Sequence, residues 1–167
     1  MDSFKCLRMY DGGVVIIAPH ADDEIIGNYE VLETGHVTSV AVPDIKTAGE
    51  MEYCSLHYNF KIVMISEVLE RAMFHKDILY FFPDPFQEYH PDHKYWGMEG
   101  YKLAMRNKQV IFYNTNMNAP YIREVTKWKD KRQLMDALYP DKMSLWEYDH
   151  KYFLFEGHHK FLYEWND

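Results

Sequence analysis

Cysteine is almost missing from this chain. Only Cys6 and Cys54 are present, with no CxxC spacing, so no disulfide framework is expected and both should be buried thiols. Basic runs are equally scarce. No Lys/Arg run exceeds two residues and the formal net charge is −8, which disfavours a large nucleic-acid footprint or an anionic membrane surface. The densest basic segment, Lys127-Trp128-Lys129-Asp130-Lys131-Arg132, leaves room for a local contact. Long hydrophobic runs are lacking too. Nothing approaches the roughly 18 residues of a membrane span, and the opening MDSFKCLRMYDGG has no continuous apolar core like that of a signal peptide. These absences lead to the expectation of a soluble, cytoplasmic protein.

What is present is apolar and aromatic. Hydrophobic residues make up 47% of the 167 and aromatics 17%, enough for a packed core and too much for a disordered chain. No repeat, low-complexity linker or composition break divides residues 1–167, so a single domain is expected.

Short β-branched or aromatic runs alternate with helical patterns through the first two thirds. Val14–Ala18, Val37–Val42, Ile62–Ile65, Ile78–Phe82 and Val110–Tyr113 read as strands. A helix is expected from the acids Asp22-Asp23-Glu24 to a C-terminal glycine at Gly35. Further helices are expected at Ala48–Tyr58, Glu67–Phe74, His93–Met105 and Lys129–Leu138. Tyr152–Phe155 reads as a strand or a loop. This alternation predicts an α/β fold with a mostly parallel sheet covered by helices on both faces.

Two runs carry chemistry. Residues 18–24 read APHADDE and residues 89–93 read YHPDH. The first follows the first expected strand and the second follows the fourth, at the sheet edge where open α/β folds bind ligands. Taken alone, Asp22-Asp23-Glu24 would be helix-cap acids. Together the runs offer two imidazoles, a carboxylate ligand and a further carboxylate as proton acceptor, which is what a catalytic metal centre needs. The residues by themselves point to a metal-dependent hydrolase or a metal-dependent oxygenase. His36, His57, His75 and His150 lack such context and read as surface or core residues. The pair His158-His159 is the exception to watch.

APHADDE resembles the PHPDDE signature of the PIG-L or LmbE-like N-acetylglucosaminyl de-N-acetylases, and YHPDH resembles that family's HPDH. The resemblance implies a single Rossmann-like domain. It implies Zn²⁺, or another divalent metal such as Fe²⁺, held by His20, Asp23 and His93. Asp22 would be the general base, and His90 the cation that steadies the tetrahedral oxyanion, with Asp92 orienting it. The implied reaction is hydrolysis of an N-acetyl amide on a small amino-sugar conjugate, giving acetate and a free amine. Glu24 is left as a first-turn helix acid.

Three departures accompany the likeness. Ala21 stands where the signature has proline. Thr47-Ala48-Gly49-Glu50 keeps the acid of the family's Arg-x-x-Glu without its arginine, leaving Lys46 as the nearest cation. The C-terminal substrate-binding part is expected to be trimmed. Two other readings follow: a catalytically degenerate relative used for binding or assembly, and a non-haem Fe(II) oxygenase, whose sites usually sit on all-β folds.

Overall fold

The computed structural model describes residues 12–116, 119–144 and 151–160. It contains one seven-stranded sheet of order β3-β2-β1-β4-β5-β7-β6. The strands are β1 (Val14–Ile17), β2 (Val37–Val42), β3 (Lys61–Met64), β4 (Leu79–Pro83), β5 (Gln109–Tyr113), β6 (Ile122–Glu124) and β7 (Phe155–Lys160). Pairings among β1 to β5 are parallel, whereas β7 runs antiparallel to both β5 and β6. The mixed α/β architecture with a mostly parallel sheet agrees with the expected alternation.

β1 is buried throughout and its side chains divide between two cores. Val14 and Ile16 join Ile25, Leu32, Cys54 and Met135 on one face. Val15 and Ile17 join Ile65, Tyr80, Phe82 and Leu103 on the other. That division is why its run is continuously apolar and not alternating. Helices α1 (Asp23–Ile26), α2 (Tyr29–Leu32), α4 (Glu52–Tyr58) and α7 (Trp128–Leu138) supply the first face, and α5 (Ile65–Ala72) and α6 (Pro91–Met105) the second. Among the described residues, no helix is long and apolar enough to cross a membrane. Cys54 is buried as expected, and Cys6 lies outside the described residues, as does His150.

Several expectations change. The single helix from Asp22 to Gly35 is two four-residue pieces, α1 and α2, separated at Gly27-Asn28. A Cβ on Gly27 would sit 2.4 Å from the Tyr113 ring, so the chain passes too close to β5 to carry a side chain there. The exposed ends of the break are satisfied from far along the sequence. Lys131 Nζ donates to Ile26 O at 2.7 Å, and the Tyr29 amide donates to Glu156 Oε1 at 2.7 Å. Lys131 and Glu156 are fully buried and pair with each other at 2.9 Å. One cation of the basic stretch at 127–132 is therefore structural.

The helix expected at 48–58 is likewise split, into α3 (Ile45–Glu50) and α4, and α3 begins at an Asp44 side chain that accepts the Thr47 amide. The ambiguous 152–155 segment is a helical turn, Lys151–Leu154, leading into β7. β6 and most of β7 have no counterpart among the expected strands, because their polar sequences IRE and FEGHHK lack the apolar alternation that marks a strand.

α6 keeps its helical course despite two glycines because the sheet requires them. Ideal Cβ atoms at Gly97 and Gly100 would lie 2.5 Å from Pro83 O and 2.4 Å from the Phe82 ring. The helix lies directly on β4, which sets where its N-terminal turn, bearing His93, meets the sheet. Gly97→Ala would push a methyl group into backbone atoms, and we expect a loss of about 1–3 kcal/mol, read as a lower denaturant midpoint. A variant as stable as the parent would show that α6 can move off β4.

Candidate metal site

The two histidine runs meet at the carboxyl ends of neighbouring strands. β1 pairs with β4, although β2, β3 and five helices separate them in sequence. The chain leaves β1 toward β2 on one side, then returns to place β4 on the other. Ligand sites form at this kind of switch point.

Three donor atoms converge there. His93 Nε2 lies 3.0 Å from Asp23 Oδ2 and 3.1 Å from His20 Nδ1, and the third side, from His20 Nδ1 to Asp23 Oδ2, is 3.4 Å. A tetrahedral cation with bonds of about 2.0–2.1 Å keeps its ligand atoms roughly 3.3 Å apart. A nitrogen of His90 is also close, since His20, His90 and His93 each bring a donor atom into a group within 4.8 Å. This group could hold a metal ion.

The outer nitrogens explain why the inner atoms act as donors. His20 Nε2 faces Asp92 Oδ2 at 3.1 Å. His93 Nδ1 faces Thr115 Oγ1 at 3.1 Å and Glu88 Oε2 at 3.3 Å. Imidazole protons drawn to these outer acceptors leave lone pairs on the inner nitrogens. Two lone pairs and a carboxylate oxygen then share one small space, an arrangement that positive charge stabilises. The residues therefore fit a cation.

Proton affinities report the same field. His93 is pushed up to about 10, because the Asp23 and Glu88 carboxylates outweigh the burial that would lower it. His20 is raised, chiefly by its hydrogen bond to Asp23. Burial acts to raise Asp23, but the two imidazoles overcome it and hold the carboxyl well below the usual range.

Asp22 is the neighbour with a different task. Its φ of 112° lies in the left-handed region, unusual for a residue with a side chain and costing about 1–3 kcal/mol. Its carbonyl accepts the Ile25 and Ile26 amides at 3.0 and 2.8 Å, while its own amide donates to Glu24 Oε2 at 3.0 Å. Its carboxylate lies 3.3 Å from Lys142 Nζ. Burial, then the Asp23 charge, raises the Asp22 carboxyl well above the ordinary range, with Lys142 opposing. Glu24 is more than a first-turn helix acid: it is fully buried and takes both the Asp22 amide and the Tyr139 hydroxyl.

His90 caps α6, its Nδ1 accepting the Asp92 amide at 3.2 Å. Asp92 Oδ2 is closer to His20 than to His90, at 3.1 against 3.8 Å, so the geometry gives it His20 to orient. Three residues with no motif signal, Glu88, Thr115 and Lys142, complete the surroundings. Glu88 could have drawn notice as an acid two residues before His90, but nothing in the sequence pairs Thr115 or Lys142 with either run. His158 and His159 stay out of the site, contacting Asn28 and Asp84 instead.

The donor atoms open into a cleft of about 660 Å³ lined also by Tyr89, Asn116 and Tyr152. A second cleft of about 590 Å³, bearing Lys46, Thr47, Glu50 and Trp96, shares His20 and Lys142 with the first. Lys46 and Glu50, at the segment that keeps the acid of the Arg-x-x-Glu pattern without its arginine, form an exposed pair at 3.8 Å.

In metal-free protein, His93 holds its proton to about pH 10 when folded and to only about 6.5 when unfolded. The stabilisation is full below the unfolded value and is lost as pH rises through the folded one. Denaturant midpoints of metal-free protein should therefore fall across that interval, and one equivalent of Zn²⁺ should flatten the decline. A midpoint independent of alkaline pH without metal would contradict the His93–Asp23 pairing.

Against known proteins, the chain matches no family model, and neither a curated protein nor a solved structure shows significant similarity to it.

Proposed function

We propose that the chain is a divalent-metal-dependent amide hydrolase that removes the acetyl group from an N-acetylated amino-sugar conjugate. The observation that carries this reading is the triangle of His20 Nδ1, Asp23 Oδ2 and His93 Nε2, with sides of 3.0 to 3.4 Å, beside the buried carboxyl of Asp22. Three protein ligands with an open fourth position are the pattern of a catalytic zinc centre, and Fe²⁺ suits the same donors. A Rossmann-like fold is supported by the order β3-β2-β1-β4-β5, which follows the 3-2-1-4-5 start of that fold. The two motifs' resemblance to the LmbE-like deacetylases adds the substrate class.

A bound cation would polarise the amide carbonyl and lower the pKa of a water. Asp22 takes a proton from the attacking water as its oxygen adds to the amide carbon, and a carboxylate whose proton affinity is raised by burial is the stronger base for that task. Asp22 passes that proton to the amide nitrogen as the C–N bond breaks, so acetate and the free amine leave and the carboxylate is restored. His90, at the cleft wall, keeps Nδ1 as acceptor of the Asp92 amide and so carries its proton on Nε2, which steadies the oxyanion as a hydrogen-bond donor. The acetylated unit occupies the larger cleft, and the adjoining cleft, reached past His20 and Lys142, takes the remainder of the conjugate.

Metal analysis should return about one ion per chain, the stoichiometry of a single centre. Asp22→Asn should keep the metal and lose about 100-fold or more in acetate release, assayed over a panel of N-acetylglucosamine conjugates. His93→Ala should lose the metal. Unchanged metal content in His93→Ala would sink the ligand assignment, and a zinc-loaded protein inert on the whole panel would sink the reaction.

One observation favours a second reading. With His90 in the donor group, four protein ligands could close the coordination sphere, as in a structural site, and the chain would then be a metal-holding binding or assembly protein. X-ray absorption on zinc-loaded protein separates the two. Three histidines plus Asp23 and no water support the closed site; two histidines, Asp23 and a solvent oxygen support the hydrolase.

A further inference from the structure

Glu88 has no part in the reaction described above, yet it is a carboxylate only 2% exposed, and such a group needs a reason to be there. Its Oε1 accepts the Thr115 amide at 2.5 Å and the Thr115 hydroxyl at 2.9 Å, and its Oε2 lies 3.3 Å from His93 Nδ1. Thr115 Oγ1 lies 3.1 Å from the same Nδ1. The threonine has one hydroxyl proton. Donated to Glu88, it leaves an oxygen lone pair for the His93 Nδ1 proton. The chain then runs from His93 through Thr115 to Glu88, and it requires the proton on Nδ1.

We propose that Glu88, acting with Thr115, is a positioning residue for the metal centre. It holds His93 in the tautomer that presents Nε2 to the ion, and it thereby sets the site's affinity for a divalent cation. This rests on the metal reading of the site. The counterpart on the other imidazole is weaker. Asp92 faces His20 Nε2 across 3.1 Å, but its side chain is 60% exposed, against 1% for Glu88. Water screens the first contact, and the dry surroundings strengthen the second.

The loop carrying Glu88 is itself braced. Asp84 Oδ1 accepts the Phe86 and Gln87 amides at 2.8 and 3.2 Å, and the Glu88 amide donates to Asp84 O at 3.2 Å. Asp84 Oδ2 in turn takes the Tyr121 hydroxyl at 2.5 Å and His159 Nε2 at 2.8 Å. The turn after β4, Thr115 just beyond β5 and strand β7 thus jointly fix one imidazole. This gives His159, set apart in the sequence as one of a histidine pair, a place two contacts behind the site.

The test is Zn²⁺ affinity by chelator competition, using the whole chain and the metal alone. Glu88→Gln preserves shape and should weaken binding by about 10–100-fold. Thr115→Val should weaken it in the same direction, and Asp92→Asn by at most about fivefold. In zinc-loaded protein with ¹⁵N-labelled histidine, His93 should show a metal-bound Nε2 and a protonated Nδ1, a signature that a merely structural role for Glu88 would not require. The proposal is overturned if Glu88→Gln binds no more weakly than Asp92→Asn, or if His93 binds through Nδ1. Should Glu88→Gln fail to fold, Thr115→Val and the parent spectrum decide. A parent chain that binds no zinc overturns the metal reading as well, an outcome distinct from a parent and variant that bind equally.

Discussion

Parallel pairing of β1 with β4 is the constraint on which the rest of this molecule depends. It places the loop His20–Asp23 beside the loop and helix that carry Glu88 to His93, with donor atoms about 3 Å apart. Because β1 is buried on both faces, its register cannot slip without exposing one of two cores. Gly97 and Gly100 seat α6 directly on β4, so the helix that bears His93 inherits the precision of the sheet. The site is therefore positioned by the core and not by its loops.

Electrostatics form the second layer. Four carboxylates, Asp22, Asp23, Glu24 and Glu88, are buried close together, and side by side such charges repel and lose hydration. Each is offset from a different part of the chain: Asp23 by two imidazoles, Glu24 by Tyr139, Glu88 by Thr115, and Asp22 by Lys142. Lys131 and Glu156 do the same for the broken backbone between α1 and α2. The segment from α7 to the turn Pro140–Lys142 thereby touches the segment after β1 at four points, Ile26, Glu24, Asp22 and Ala21. Residues 131 to 142 are in effect one wall of the site.

Much of this arrangement was legible beforehand, and the parts that were share a physical property. The strands β1 to β5 announced themselves because a buried parallel strand must be continuously apolar, and their edges were found within a residue or two. That the runs holding His20, Asp23 and His93 meet was legible, because both follow strands of one parallel sheet, whose carboxyl ends share an edge. The split after Ile26 was not legible, since the hydrogen bonds that permit it come from residues more than a hundred positions away. β6 and β7 were missed because their side chains are polar and their pairing is non-local.

The sequence by itself determined the alternating strands and helices, the two histidine–carboxylate runs and their placement after strands one and four, because those follow from local periodicity and residue chemistry. Only the tertiary structure decided what surrounds them. Asp92 turns toward His20, Glu24 is a buried brace under Asp22, and Glu88, Thr115 and Lys142 complete the site. Thr115 and Lys142 have no local signature, because a hydrogen bond between residues 22 or 121 positions apart leaves no mark on the spacing of either. It exists only once packing has brought the two groups together out of water.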